Sequence, residues 1–121
     1  MKKIFTLIAF IGFAQFGFAQ TLTPEEAAKH VGETVKVCGK IFGGRFFETS
    51  NNCPTLLNMG AAYPLSPVTI MLTLEVRNKL GYVPEQQLKE KNICVTGKVE
   101  LFKGKPEIVV SDVTQLEVAT K

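Results

Sequence analysis

Alternation of apolar and polar positions runs through most of the chain beyond residue 34, and it marks out five short strands. Val35, Val37, Gly39 and Ile41 fall on one face of an extended segment, with Lys36, Cys38 and Lys40 on the other. That is the period of two that a half-buried strand requires. Gly39 is expected to mark a bend or bulge in it. After a turn at Gly43-Gly44, a second extended segment covers Arg45 to Thr49, is interrupted by Ser50-Asn51-Asn52-Cys53-Pro54, and resumes from Thr55 to Met59. Gly60 to Pro67 reads as a loop, and Val68 to Leu74 as the third strand, with Val68, Ile70, Leu72 and Leu74 on its more apolar face. The fourth strand, Ile93 to Phe102, sets Ile93, Val95, Gly97, Val99 and Leu101 against Cys94, Thr96, Lys98, Glu100 and Phe102. Lys103-Gly104-Lys105-Pro106 supplies a tight hairpin turn into the fifth strand, Glu107 to Ser111. Asp112 to Lys121 trails off, with Val113 and Leu116 still able to pack.

Helical signals are few and short. Thr23-Pro24-Glu25-Glu26 offers an N-cap, a proline at the first helical position and a glutamate at the third, ahead of Ala27, Ala28 and Val31. That helix should end at Gly32. A second helical stretch, Glu75 to Leu80, closes on Gly81, and Pro84 to Lys91 adds another turn before the chain re-enters strand. Five short strands, a helix between the third and fourth, and glycines inside the first and fourth point to a small closed barrel that leaves few free edges. The expected class is all-β with short helices, a five-stranded OB-fold barrel. The echo between Val37-Cys38-Gly39-Lys40-Ile41 and Val95-Thr96-Gly97-Lys98-Val99 supports it, because each places Gly-Lys where a barrel strand must coil sharply.

The first nineteen residues carry a different pattern. Lys2 and Lys3 precede an apolar run from Ile4 to Phe18, and the small residues Gly17 and Ala19 satisfy a secretory cleavage rule, so residues 1–19 read as a signal peptide and 20–121 as the OB-fold domain. The run is too short, and too interrupted at Gln15, for a membrane anchor. A secreted or periplasmic protein with no membrane attachment after cleavage is expected, in a compartment that permits disulfides. Cleavage removes two of the 14 lysines and arginines and none of the 11 acids, which brings the net charge from +3 to about +1. A strong electrostatic attraction to nucleic acid is thereby excluded.

The segments Glu26-Ala27-Ala28 to Gly32, Val37 to Lys40, Pro54 to Gly60, Tyr63-Pro64, Ile93 to Lys98 and Lys103 to Pro106 together resemble a family of small exported bacterial OB-fold proteins described as nucleic-acid-binding. Some relatives in that family are domains attached to secreted nucleases. The resemblance covers nearly all of the chain beyond the leader, and it implies single-stranded DNA or RNA as a ligand.

An OB-fold presents its ligand surface on the second and third strands and on the loops joining strands one to two and four to five. Those regions hold Arg45, one of Phe46 and Phe47 (here Phe47), Asn58, Met71, Lys103 and Lys105, with Tyr63 in the long loop beyond. Aromatic rings interleaved with cations suit single strands, since bases stack on the rings and the cations follow phosphate. Alternatively, the Phe46-Phe47 pair places one ring in the core and one against the helix. With only Arg45 and Arg77 as arginines, nucleic-acid affinity should be weak and salt-sensitive. The competing expectation is an interaction module for a protein partner or an oligosaccharide, and the oligomeric state is left open.

In an OB-fold the first and fourth strands are antiparallel neighbours, so Cys38 and Cys94, both on outward faces, are expected to form a structural disulfide. Cys53 is then the odd thiol, whether free, exchanged into another pairing or used between chains. The three cysteines lack the paired close spacing of a metal site. His30 is the sole histidine and Asp112 the sole aspartate, so neither a Ser-His-Asp set nor a metal pair is available. His30 suits the C-terminal end of its helix. No enzymatic activity, metal or cofactor is expected.

Overall fold

The protein, a computed structural model in which residues 21–119 are described, is built on a closed barrel. The elements in chain order are β1 (Thr21–Leu22), a 3-10 helix (Pro24–His30), β2 (Thr34–Phe46), β3 (Thr55–Met59), β4 (Val68–Leu72), α1 (Leu74–Leu80), α2 (Pro84–Gln87), β5 (Asn92–Phe102), β6 (Lys105–Val110), a second 3-10 helix (Val113–Gln115) and β7 (Leu116–Val118). Strands β2, β3, β4, β6 and β5 pair in that order, and β5 returns to pair with β2, which closes the ring. All the barrel pairings are antiparallel except β4 with β6. This is the OB-fold, with β1 and β7 added as short outer strands on β2 and β5.

Closure depends on two strands that change partner along their length. Residues Thr34–Lys40 of β2 pair with β5, whereas Ile41 and Gly44–Phe46 pair with β3. The changeover coincides with a bulge between Ile41 and Gly44, where Gly43 takes φ +135°, a conformation that side chains resist. Gly43-Gly44 is therefore a bulge within one 13-residue strand, not a turn between two. Arg45 and Phe46 finish the first barrel strand and do not begin the second. Likewise β5 gives residues Asn92–Lys98 to β2 and Val99–Phe102 to β6.

Gly39 and Gly97 serve close packing. A Cβ at Gly39 would lie 2.5 Å from Pro24 Cγ, and one at Gly97 would lie 2.7 Å from Ile108 Cγ2. Glycine at 39 lets the first 3-10 helix plug the barrel, with Pro24 and Ala27 buried. The inward positions of the strands fill the interior: Val37, Ile41, Leu57, Ile70, Leu72, Ile93, Val95 and Ile108 are fully buried. Burying each such side chain stabilises the fold by roughly 1.5–3 kcal/mol.

Cys38 and Cys94 stand directly opposite on β2 and β5 and form a disulfide, while Cys53 is a free thiol in the β2–β3 loop. The third strand stops at Leu72, because Thr73 caps α1 by accepting a hydrogen bond from the Val76 N–H at 3.2 Å. Gly81, at φ 77°, ends that helix. The C-terminal stretch is more ordered than its sequence pattern predicts. Asp112 caps the second 3-10 helix, and the Gln115 amide donates to the Thr96 carbonyl at 2.9 Å, which brings β7 alongside β5.

The signal-peptide expectation concerns residues 1–19, which lie outside the described residues.

Candidate functional site

Strand alternation that buries Leu57, Ile70 and Ile108 turns their neighbours outward, and register brings those neighbours into rows. Arg45 on β2 is paired with Leu56 on β3, Leu56 with Met71 on β4, and Met71 with Val109 on β6. The adjacent row runs Asn58, Thr69, Glu107 and Glu100 across β3, β4, β6 and β5. Beyond it Lys105 is paired with Phe102 at the β5–β6 hairpin. Charged ends thus flank an apolar row and a polar row on one outer face of the barrel.

Over this face lies a groove of about 670 Å³. Six of the residues expected from sequence line it: Arg45, Phe47, Asn58, Tyr63, Lys103 and Lys105. Met71 does not. It is paired with Leu56 on β3 and Val109 on β6 in the row that begins at Arg45, but it is not itself among the lining residues.

Local contacts explain how these side chains are held. The Arg45 guanidinium lies 4.9 Å from the Phe47 ring centre, and Lys103 Nζ lies 5.4 Å from the Phe102 ring centre, so each end of the groove carries a cation paired with an aromatic face. Lys103 (φ 54°) and Gly104 (φ 83°) form a two-residue turn with both residues left-handed, the hairpin geometry that matches strand twist. Lys105 Nζ donates to the Pro64 carbonyl at 2.9 Å and ties the 60–67 loop to this hairpin. That tie holds Tyr63 at the groove edge with 78% of its surface exposed. Ser66 Oγ donates to Asn58 Oδ1 at 3.4 Å, which leaves the Asn58 amide N–H groups for a ligand.

Phe102, Thr69 and Glu107 also line the groove and were not singled out from sequence. The hairpin register carried the signal for two of them: Phe102 falls opposite Lys105, and Glu107 lies two residues beyond Lys105 on the same face. Burial pushes the Glu107 carboxyl above the usual glutamate range, and the facing Glu100 adds to the rise.

Phe46 and Arg77 belong to a different structure. The Arg77 guanidinium stacks 3.7 Å from the Phe46 ring centre, donates to Glu85 Oε1 at 2.7 Å and donates to the buried Thr55 hydroxyl at 2.9 Å. Both charged partners are largely covered, at 14% and 16% exposure. Burial acts to raise the Glu85 carboxyl, but the hydrogen bond and charge of Arg77 outweigh it and hold the group below its ordinary range. Arg77 therefore joins α1, α2, β2 and β3 and is committed to the fold. Of the adjacent phenylalanines, Phe46 packs against the helix and Phe47 faces the groove. His30 accepts a structural role too, with Nδ1 3.0 Å from Glu33 Oε1.

A closed five-stranded barrel with a groove over its second and third strands defines an OB-fold protein. No family model matches the chain, and no curated protein sequence matches it. Solved structures do. The chain is similar to a yeast structure of Stn1 and Ten1 with a TM-score of 0.61 at 16% identity, over 88% of this chain and 65% of that one. It is similar to RecG bound to a three-way DNA junction (TM-score 0.58, 22% identity), over 84% of this chain and 13% of RecG. It also matches OBody AM1L10 bound to hen egg-white lysozyme (TM-score 0.57, 19% identity), over 88% and 98% of the two chains. At these identities the likeness establishes the shared fold.

Proposed function

We propose that this protein is an exported, non-catalytic OB-fold protein that binds single-stranded nucleic acid weakly in the groove bounded by Arg45, Phe47, Tyr63, Phe102, Lys103 and Lys105. The observation that carries this reading is the pair of cation–aromatic couples at opposite ends of one outward sheet face. Stacking of a base on such a ring contributes ~1–3 kcal/mol, and the adjacent cation contacts phosphate. The DNA-bound RecG structure supports the choice of ligand, and so does the sequence resemblance to exported OB-fold proteins. The Cys38–Cys94 disulfide supports the exported location, because such bonds persist in oxidising compartments. With one histidine and one aspartate in the chain, the groove is read as a binding surface.

Titration of a fluorescent single-stranded oligonucleotide at several salt concentrations tests the proposal. Saturable binding at low salt is expected, falling as salt rises. Lys103→Ala with Lys105→Ala should flatten the slope of log affinity against log salt by about 0.7 per lysine. Tyr63→Ala should weaken binding roughly five- to hundredfold with little change of slope. Absence of saturable binding at low salt overturns the reading.

A second reading has its own observation. Tyr63 and Phe102 are exposed large apolar side chains that both line the groove, and an OBody of this fold is bound to lysozyme. A protein partner or an oligosaccharide on the same face is then the ligand, and its binding would be nearly independent of salt.

A further inference from the structure

The groove floor contains a feature that phosphate binding does not call for. Glu107, a carboxylate, lies between the cationic ends, in the row Asn58, Thr69, Glu107, Glu100 that crosses four strands. Lys105 is on its own strand, with Lys103 and Phe102 at the hairpin on one side, and Arg45 lies at the far end of the groove. Glu100 faces it from β5, and Thr69 from β4. A polynucleotide in this groove meets positive charge at the ends and negative charge on the floor. Phosphates are drawn to the ends and repelled from the centre, so base edges turn inward toward Glu107. An ionised carboxylate only accepts hydrogen bonds. Cytosine, adenine and guanine carry an exocyclic amino donor, whereas thymine has a carbonyl oxygen where cytosine has its amino group and offers only its ring N3–H.

Resting on the single-strand reading above, we propose that Glu107 is a specificity-determining residue that favours bases bearing an exocyclic amino group, of which cytosine and adenine are the test cases, over thymine or uracil. Glu107 is partly desolvated, and among the described residues no donor offsets the repulsion from Glu100. A base amino group supplies the missing donor. Asn58, whose carbonyl oxygen is engaged by Ser66, directs amide donors into the same row and meets a base carbonyl or ring nitrogen alongside.

The test compares oligo(dC), oligo(dA) and oligo(dT) of equal length at about pH 8, where cytosine is neutral and a carboxyl held above the usual glutamate range is driven toward its ionised form. The native protein should bind oligo(dC) and oligo(dA) roughly fivefold or more tightly than oligo(dT). Glu107→Gln, whose amide both donates and accepts, should bind oligo(dT) more tightly than the native protein does, and the preference should collapse toward unity. Thermal melting of the variant confirms that it is folded. Equal affinity for the three oligomers in the native protein, or an unchanged ratio in Glu107→Gln, overturns the inference and leaves the single-strand reading standing. No saturable binding of any of them overturns both.

Discussion

Glu85 and Glu107 show how the same kind of charge takes opposite roles according to what surrounds it. The Glu85 carboxylate is met by Arg77 in a nearly buried pair, and its folded-state acidity is strengthened. It therefore contributes stability that is present above the unfolded-state pKa and lost as pH falls through the depressed folded value. Glu107 has the reverse sign: burial and Glu100 raise its folded pKa, so stability is full below the unfolded value and is lost as pH rises through the raised one. Two outcomes follow in thermal melts taken from acid to neutral pH. Glu85→Gln should lower the melting temperature at neutral pH, by roughly 3 kcal/mol of stability since it leaves Arg77 unpaired and largely covered, with the difference shrinking in acid. Glu107→Gln should raise the melting temperature at neutral pH and converge with the native protein in acid. A neutral-pH melting temperature unchanged by Glu85→Gln would show that the Arg77 pair adds nothing to the fold.

At the scale of elements, the barrel depends on β2 and β5 holding together along the seam from Thr34–Lys98 to Lys40–Asn92. The disulfide sits within that seam and joins residues 56 apart in sequence. On the chain-entropy account such a link stabilises by about 4 kcal/mol. Replacing both Cys38 and Cys94 by Ala should lower the melting temperature by roughly 15 °C or more. The groove uses β3, β4, β6 and the far ends of β2 and β5 beyond that seam, so oligonucleotide affinity measured well below the melting transition should be unchanged. Loss of binding in parallel with stability would mean that the seam shapes the groove. Much of this arrangement was legible in the sequence, because period-two alternation and the Gly-Lys echo specify which strands coil. The bulge at Gly43 was not, since a Gly-Gly pair looks the same whether it ends a strand or kinks one. The two outer strands escaped notice because β1 and β7 are two and three residues long, below the length at which alternation is visible. The row that places Thr69 in the groove arises from long-range pairing, which no local pattern encodes, whereas Glu107 was within reach of the hairpin pattern, two residues beyond Lys105. Met71 lies on the expected outer face, in the row of Arg45 and Leu56, without lining the groove.

For the molecule as a whole, a disulfide-closed barrel carries the groove, and the proposed export leader precedes it. If residues 1–19 are cleaved as proposed, Gln20 becomes the first residue, and the intact mass of the exported form checks it; recovery of the full-length chain in a membrane fraction would replace export with anchoring. On the proposed cleavage the net charge falls to about +1, which would keep any attraction to phosphate local to the groove ends. Heteronuclear NMR of the native protein, titrated with a single-stranded oligonucleotide at low salt, tests the central claim most directly. The account predicts saturable amide shifts concentrated at Arg45, Phe47, Asn58, Thr69, Phe102 and Glu107, with the β2–β5 seam around Cys38 and Cys94 unperturbed. Shifts centred on that seam, or none at the groove at saturating oligonucleotide, would contradict it.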